Sequence, residues 1–457
     1  MTNLLRGQTF RITETIFLKS LAIVYLVAFA SLWPQIVGLV GANGIAPAAE
    51  TMIAMHADYG WHAYLEVPSL FWLAQTDWAL KALCAMGCVA ALFLLLGVFV
   101  RPAAISAYIL YLSLVSIAEP FTSFQWDALL LETGFLAIFV GAPLLPLAYR
   151  FLVFRLMFES GLVKLTSHDP NWSNLHALRY HFFTQPLPTP LAYYVQHAPG
   201  WLLDSLTLAV LLIELLAPFL LFAPYRHIRQ TAVAILILLQ IGIALTGNYA
   251  FFNLLAIALC LWGLDDECFS HTKNLRLIHA SQAVMSANVP VAALLLLGIL
   301  QIFGFRPSFL ESFEMVNPYG LFAVMTTSRI ELVVEGSEDH VNWQAYSFPY
   351  KPGEVTRGLP WVAPYQPRLD WQMWFAALGR PEGNLWAQTL VYRLLMGEPE
   401  VLKLLEPAPF KKPPHFIRIQ SYRYTFAAPL QRRLNGEIWQ RTLEGTWFGP
   451  VPGDQKN

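Results

Sequence analysis

Apolar residues fill nine long stretches over the first two thirds of the chain, and a shorter-period pattern replaces them in the last third. The stretches run over about 16–40, 79–100, 102–118, 124–147, 149–165, 202–223, 230–247, 249–264 and 284–304. A helix needs roughly 20 apolar residues to cross a ~30 Å hydrocarbon core. The pattern therefore predicts a polytopic α-helical membrane bundle of about nine spans within residues 1–304. Farther on, 319–337, 342–350, 415–427 and 436–445 are rich in β-branched and aromatic residues or alternate with period two, as strands do. Between them, 369–379 and 384–397 have helical periodicity, with Gly379 and Gly397 placed to cap their C-termini. The expected second domain, 305–457, is a C-terminal soluble β-sandwich-like domain with helical insertions.

Charge follows the same division. Residues 1–304 hold 13 Lys/Arg and 15 Asp/Glu, whereas 305–457, half as long, hold 16 and 15. Basic residues also alternate along the expected spans in the sense of the positive-inside rule. Arg6, Arg11 and Lys19 precede or open the first span, and Arg101, Arg150, Arg226, Arg229, Lys273 and Arg276 fall at every second junction. The intervening loops hold few: 42–78 and 119–123 have no Lys or Arg, and 166–200 has Arg179 alone. Nine spans then place the outer loops 42–78 and 166–200 on the same, extracytoplasmic side as 305–457. A net charge of −1 supports no nucleic-acid partner. The four cysteines, Cys84, Cys88, Cys260 and Cys268, all lie in or beside the membrane part, which excludes a disulfide framework for the C-terminal domain. His176 and His181 lack a third ligand at metal spacing, so no metal is expected, and no motif calls for a cofactor.

Several expected spans carry charge at membrane depth, which is costly unless the groups pair or face a cavity. Asp127 and Glu132 lie on the fourth, and Arg155, Glu159 and Lys164 on the fifth, where Arg155 and Glu159 share a helix face. Glu214 lies in the sixth span and Gln240 in the seventh, while Asn248 and Asn253 open the eighth. One reading is an intramembrane catalytic or transport site made of Asp127, Glu132, Arg155, Glu159, Lys164, Asn248 and Asn253. The other is a lattice of ion pairs that fixes helix register.

Six strings of this chain resemble the lipase maturation factors: SFQWDALLLETGFLAIF (123–139), FRLMFESGLVKL (154–165), LRYHFFTQPLPTPLAYYVQHAP (178–199), TGNYAFFNLLAIALCLWGLDD (246–266), VAPYQPRLDWQMWFAALG (362–379) and KKPPHFIRIQSYRYTF (411–426). The likeness runs in the same order from about residue 15 to the C-terminus. More remotely, the bundle resembles the membrane core of the vitamin K-dependent carboxylase group. The resemblance implies a membrane protein of the endoplasmic reticulum and secretory pathway whose lumenal parts help secreted lipases to fold, with no catalytic residues to carry over. The cysteine-free outer loops and domain depart from the animal pattern. They imply a bacterial-type homologue in a cytoplasmic membrane with its C-terminal domain outside, the alternative being the endoplasmic reticulum membrane with that domain in the lumen.

Two functions compete on these residues. The first is a maturation factor or chaperone, more a binding protein than an enzyme, whose outer surface holds secreted clients through Trp361, Trp371, Trp374 and Phe375, with membrane lipids as its other partner. Those four side chains otherwise pack the domain's own core. The alternative is an intramembrane enzyme or lipid/quinone-binding protein in which Lys164 or Glu159 acts as base, tuned by Asp127 and Glu132.

Overall fold

A computed structural model of the chain describes residues 8–269 and 287–453. Arg6, Lys273 and Arg276, and the start of the ninth expected span, lie outside those residues.

Each expected span has a helical counterpart, but proline and glycine shorten two of them. The first divides into α1 (Arg11–Leu32) and α2 (Ile36–Val40) around Pro34, whose ring and missing N–H end a helix. Between them and the next long helix come α3 (Ala48–Tyr59) and α4 (Ala63–Glu66), short helices inside the outer segment 42–78. Next follow α5 (Asp77–Leu96), α6 (Val100–Val115), α7 (Gln125–Ala137) and α8 (Leu145–Thr166). The predicted 124–147 span stops at Ala137, because Gly141, at φ +85°, and Pro143 turn the chain before α8 begins. In α7, Gly134 lets α1 approach closely: a Cβ there would collide with the Tyr25 hydroxyl.

The predicted outer loop 166–200 is itself largely helical, with α9 (Pro170–Ser173), α10 (Ala177–Thr184) and α11 (Pro190–Gln196). Pro170 and Pro190 sit in the first turns of α9 and α11, where no N–H is needed. The bundle continues with α12 (Gly200–Leu220), α13 (Arg226–Thr246), α14 (Phe252–Cys260) and α15 (Asn288–Ile302). Four of these helices, α1, α5, α12 and α13, are long and apolar enough to cross a membrane, and α6, α15 and the stretch 252–263 are shorter apolar helices.

The two ends of the bundle differ in chemistry. At one end Asp266 accepts from the backbone N–H groups of Arg11, Ile12 and Thr13, capping α1. At that end too Arg229 pairs with Asp265 at 2.9 Å and Arg150 donates to the Trp262 carbonyl at 2.7 Å. The turns after α1, α6 and α13, and the extended run after α10, all meet the C-terminal part instead.

That part opens with α16 (Ser308–Ser312) and an irregular run to residue 328. Strands β1 (Arg329–Ser337), β2 (Trp343–Ala345), β3 (Phe416–Phe426) and β4 (Trp439–Pro452) form one antiparallel sheet in the order β2-β1-β3-β4. Val333 faces Gln420 and Tyr424 faces Arg441 across it. Helices α17 (Arg368–Ala376), α18 (Leu385–Met396) and α19 (Pro399–Leu402) lie between β2 and β3, and α20 (Pro429–Asn435) between β3 and β4. Gly397 caps α18 in the left-handed conformation at φ +70°, as its spacing predicts, whereas α17 ends before Gly379.

The predicted sandwich is a single sheet. Among the described residues no second sheet faces it, because 346–415 is proline-punctuated and helical rather than alternating. Leu332, Val334, Ile417 and Ile419 are instead buried in one apolar core with Leu369, Met373 and Leu390, and that core continues without a break into the bundle. The predicted strand over 319–337 is strand only from Arg329, for a reason that lies in the site below.

Asp370 of α17 accepts the backbone N–H groups of Tyr350 and Lys351, each at 2.8 Å. Burial nonetheless pushes its carboxyl up to about 6. An acid whose folded pKa lies above its unfolded value of about 3.9 stabilises the fold below that value, and this contribution is lost as pH rises through the folded pKa. Thermal unfolding in detergent from pH 7.5 to pH 4 should therefore show wild type gaining on Asp370→Asn as pH falls, by on the order of 3 kcal/mol over the window.

Candidate functional site

The buried charges do not form one network. Those the sequence places at membrane depth separate into three groups, and two of these fasten the C-terminal part to the bundle.

Asp127, in the first turn of α7, is fully buried and takes both terminal nitrogens of Arg368 at 2.9 Å each. The Tyr111 hydroxyl donates to the same carboxylate, and Arg368 also donates to the Phe121 carbonyl at 2.7 Å. Arg368 opens α17, so a two-pronged ion pair with no solvent access joins the two parts. Gln35 adds to this joint by accepting from the Arg368 N–H at 2.9 Å and donating to the Gln366 carbonyl at 2.9 Å. Asn248 works alike: its Oδ1 accepts from Val362 and Ala363 N–H at 2.8 and 3.0 Å, and its Nδ2 donates to Pro360. From the other direction, Arg329 of β1 donates to the carbonyls of Phe183, Gln185 and Pro186 while paired with Glu331.

The second group explains the missing strand. Residues 317–325 enter the bundle beside α7 and α8 as irregular backbone, and side chains of the bundle satisfy its amide groups. Glu132 accepts from Asn317 N–H at 2.9 Å and from the Tyr319 hydroxyl at 2.8 Å. Glu159 accepts from Tyr319 N–H at 2.8 Å, Gln125 from Gly320 N–H at 3.2 Å and Asp169 from Met325 N–H at 2.5 Å. Arg155 closes the group, with Glu132 at 2.6 Å, Glu159 at 3.7 Å, Gln301 at 3.2 Å and the Asn317 carbonyl as partners. Buried N–H groups that lack a ladder need such acceptors, and non-helical backbone inside a membrane protein is tolerated only where protein satisfies it.

The third group is Lys164 with Glu214, at 2.7 and 2.8 Å to the two carboxylate oxygens, with the Ser160 carbonyl as a further acceptor. Near it Asn253 donates to Gln240 at 2.8 Å. These side chains, apart from Asn253, line a small apolar compartment of about 80 Å³ together with His181 and Tyr249. Burial, and then the Lys164 ammonium, push His181 down to about 4, so it is neutral at pH 7. Lys164 thus has three oxygen acceptors within 3.1 Å. Lys164→Met should accordingly lower expression and client activity together, because Glu214 is left as an uncompensated buried charge. A well-folded, inert Lys164→Met protein would instead mark Lys164 as chemical machinery.

The sequence anticipated Asp127, Glu132, Arg155, Glu159, Lys164, Asn248 and Asn253 as a single cluster. It missed their partners Arg368, Asn317 and Tyr319, and also Arg329 and Gln35, which fasten the same two parts together, Gln35 with Arg368 across 333 residues. Of the proposed contact side chains, Trp371 and Trp374 are buried, with Trp374 donating to the Thr184 carbonyl at 2.8 Å. Trp361 and Phe375 are exposed. Trp371, Trp374 and Phe375 also line a cleft of about 380 Å³ between the two parts, with Phe124 and Trp126 of the bundle and residues 320–324. Tyr249, Leu321 and Phe322 are shared between this cleft and the compartment at Lys164.

Two family models match the chain: the lipase maturation factor transmembrane domain over residues 12–271 and the lipase maturation factor C-terminal domain over 315–449. Lipase maturation factor 2 of Homo sapiens is 34% identical over 591 residues, covering 96% of this chain and 83% of the human protein. Lipase maturation factor 1 of Bos taurus is 31% identical over 509 residues, covering 98% and 90%. Lipase maturation factor 2 of Xenopus tropicalis is 31% identical and covers 96% and 82%. No solved structure matches.

Proposed function

Because the chain belongs to the lipase maturation factor family, we propose that it is an integral membrane maturation factor that assists the folding of secreted enzymes, lipases among them. The observation that carries this reading is the use made of the buried charges. Asp127, Glu132, Arg155 and Glu159 are occupied in holding residues 317–325 and α17 against the helix ends. A general base needs a free lone pair within reach of a substrate proton; the Lys164 nitrogen is engaged by Glu214 and the Ser160 carbonyl, and Glu159 holds Tyr319 N–H with one oxygen while the other, beside Arg155, has no donor. The network thus fits a frame that presents a surface.

In this reading nine helices cross the membrane, with the arginine-bearing ends on the cytoplasmic side. The C-terminal part stands outside a bacterial cytoplasmic membrane, or in the lumen of the endoplasmic reticulum, with 42–78 and 166–200 beside it. The alternation of Lys and Arg along the junctions supports that orientation. Clients are held by apolar contact, for which exposed Trp361, Tyr194 and Trp201 are the candidates on this face.

The test compares cells with and without the gene. Secreted lipase activity per amount of lipase protein should fall severalfold in the deletion, with transcripts unchanged. An unchanged exported proteome and unchanged lipase activity would reject the reading.

A further inference from the structure

We propose that the open edge of β4, between Gln440 and Thr446, takes up an extended segment of an unfolded client as a further strand of the sheet. The occupant rests on the maturation-factor reading above, and the site rests on the sheet alone. Three observations carry it.

The first is a row of free backbone groups. Among the described residues β4 has β3 as its neighbour on one side and no strand on the other. In an antiparallel pair, residues that exchange hydrogen bonds with the partner alternate with residues whose N–H and C=O point away from it. Ala427 sets the phase, because its N–H donates to the Ile438 carbonyl at 2.9 Å. Counted from there along the register, Trp439, Arg441 and Leu443, opposite Phe426, Tyr424 and Tyr422, are the residues that point away from β3. Trp439 agrees with this count, since its N–H donates outward to the Val355 carbonyl at 3.0 Å. The N–H and C=O groups of Arg441 and Leu443 have no partner among the described residues, and every residue from Gln440 to Glu444 is exposed.

The second is where the edge is protected and where it is not. Native sheets blunt their edges with proline, lysine, bulges or a covering loop. Both ends of β4 are closed in this way. Val355 covers Trp439, the Trp447 indole donates to the Gly379 carbonyl at 3.1 Å, and Pro450 and Pro452 have no N–H to offer. The stretch from Gln440 to Thr446 has neither proline nor lysine. Its two charges are already engaged: Arg441 lies over the Tyr422 ring at 5.0 Å, and Glu444 pairs with Arg423 at 2.7 Å. The extra residue Glu444 bulges only after Leu443, between the pairs Tyr422–Leu443 and Ser421–Gly445.

The third is the chemistry of the occupant. Donors and acceptors that alternate at a strand's repeat are matched by another extended polypeptide. Side chains directly opposite each other across a pair lie on the same face. Leu443 therefore shares a face with Tyr422, whereas Thr442 shares the other with Arg423. An added strand should alternate, with apolar residues toward Leu443 and Tyr422 and polar residues on the other side. A strand of a secreted enzyme whose sheets have not yet closed has that pattern. A second copy fits less well. Self-pairing about Arg441 sets like charges opposite each other, and pairing about Thr442 or Leu443 gives a strip of a few residues, far below the ~1,000 Å² of a stable interface. A short, weak strand contact suits a client that must be released. The start of β4 also adjoins α11, where Trp439 packs in one cluster with Tyr193, beside exposed Tyr194.

The test uses the full chain in phosphatidylcholine nanodiscs with two probes: a urea-unfolded secreted lipase, and a short synthetic peptide that alternates valine or tyrosine with threonine. Amide hydrogen exchange at Arg441 and Leu443 should slow when either probe is added, with exchange in α12 and α13 unchanged. Leu443→Pro removes an outward N–H and no bond to β3, so it should unfold as wild type does and bind both probes about five- to tenfold more weakly. Leu443→Ser keeps that N–H and should weaken binding only about twofold. On the unaltered protein, N-methylation of alternate peptide amides should abolish binding in one phase and spare it in the other. Equal binding of the two N-methylated peptides, or unchanged exchange at Arg441 and Leu443 with probe bound, would overturn the proposal. So would slowed exchange there that needs no probe and follows the protein's own concentration, which would make the edge a contact between copies. The two readings fail separately. If gene deletion leaves secreted lipase activity unchanged while the peptide still protects this edge, the maturation reading falls and the strand site stands. If deletion abolishes lipase maturation while the edge stays unprotected, the strand site falls alone.

Discussion

Replacing Arg368 by Met is expected to loosen the C-terminal part from the bundle and to cost about 3–5 kcal/mol, the range for removing one partner of a buried ion pair. The reason is what remains. Asp127 would keep Tyr111 but lose both guanidinium nitrogens, and the Phe121 carbonyl would lose its donor. No other cation approaches Asp127 within ion-pair distance among the described residues. Thermal unfolding of the purified protein in detergent should shift down steeply, and limited proteolysis should cleave near 360–368 where the wild type resists. Arg368→Lys should recover little, since one ammonium cannot reproduce the two-pronged contact. The double variant Asp127→Leu/Arg368→Met should recover most of the loss, because it removes the uncompensated charge along with its partner. An Arg368→Met protein with unchanged unfolding would mean that the pair does not hold the two parts together.

Arg155→Met should have a comparable effect at a different place. Among the described residues Arg155 is the cation within ion-pair distance of both Glu132 and Glu159, and both carboxylates hold the backbone of 317–319. Without it two acids face each other in a buried site, and one must take up a proton or the segment must leave. The expected result is a loss of about 3–5 kcal/mol and faster hydrogen exchange at Asn317, Tyr319 and Gly320, with exchange in α12 and α13 unchanged. Uniform loosening of the whole bundle would show that Arg155 is a general fold determinant and has no special tie to this segment.

How much of this could be read from the sequence depended on distance along the chain. Helices were legible from apolar length, and one end from its glycine, Gly397, whereas Pro34 and Gly141 cut into stretches that read as continuous spans. Strands β3 and β4 were legible because alternation is a local property. The run 319–328 was misread because its β-branched and aromatic residues suit a strand, while its Tyr319 and Met325 N–H groups are held by carboxylates 160 and 156 residues away. The sandwich failed for the converse reason: α17 covers β1 with Leu369 and Met373, and no local pattern says which layer will cover a sheet.

The charged residues were legible as a set but not as a use. Charge at membrane depth implies pairing, and Asp127 has no cation among its near neighbours in sequence. That shortage was the available pointer to a distant arginine, and Arg368, beside the aromatic helix it opens, supplies it. A consequence follows for truncation. Removing 305–457 would strand Asp127 and Asn248 and leave Glu132 with Arg155 alone, so loss of function in a truncated protein would report unfolding as readily as a lost client surface.

The central claim is that the buried charges form a frame and the function is client maturation. The most direct measurement complements gene-deleted cells with wild type or with Asp127→Leu/Arg368→Met and reads secreted lipase activity per amount of lipase protein, in variants checked for wild-type-like unfolding. If the pair is a fastening, the apolar replacement should restore activity to near the wild-type level. A double variant that is folded and present in the membrane at wild-type amounts, yet leaves secreted lipase inactive, would contradict the account and turn the charged cluster into an active-site problem.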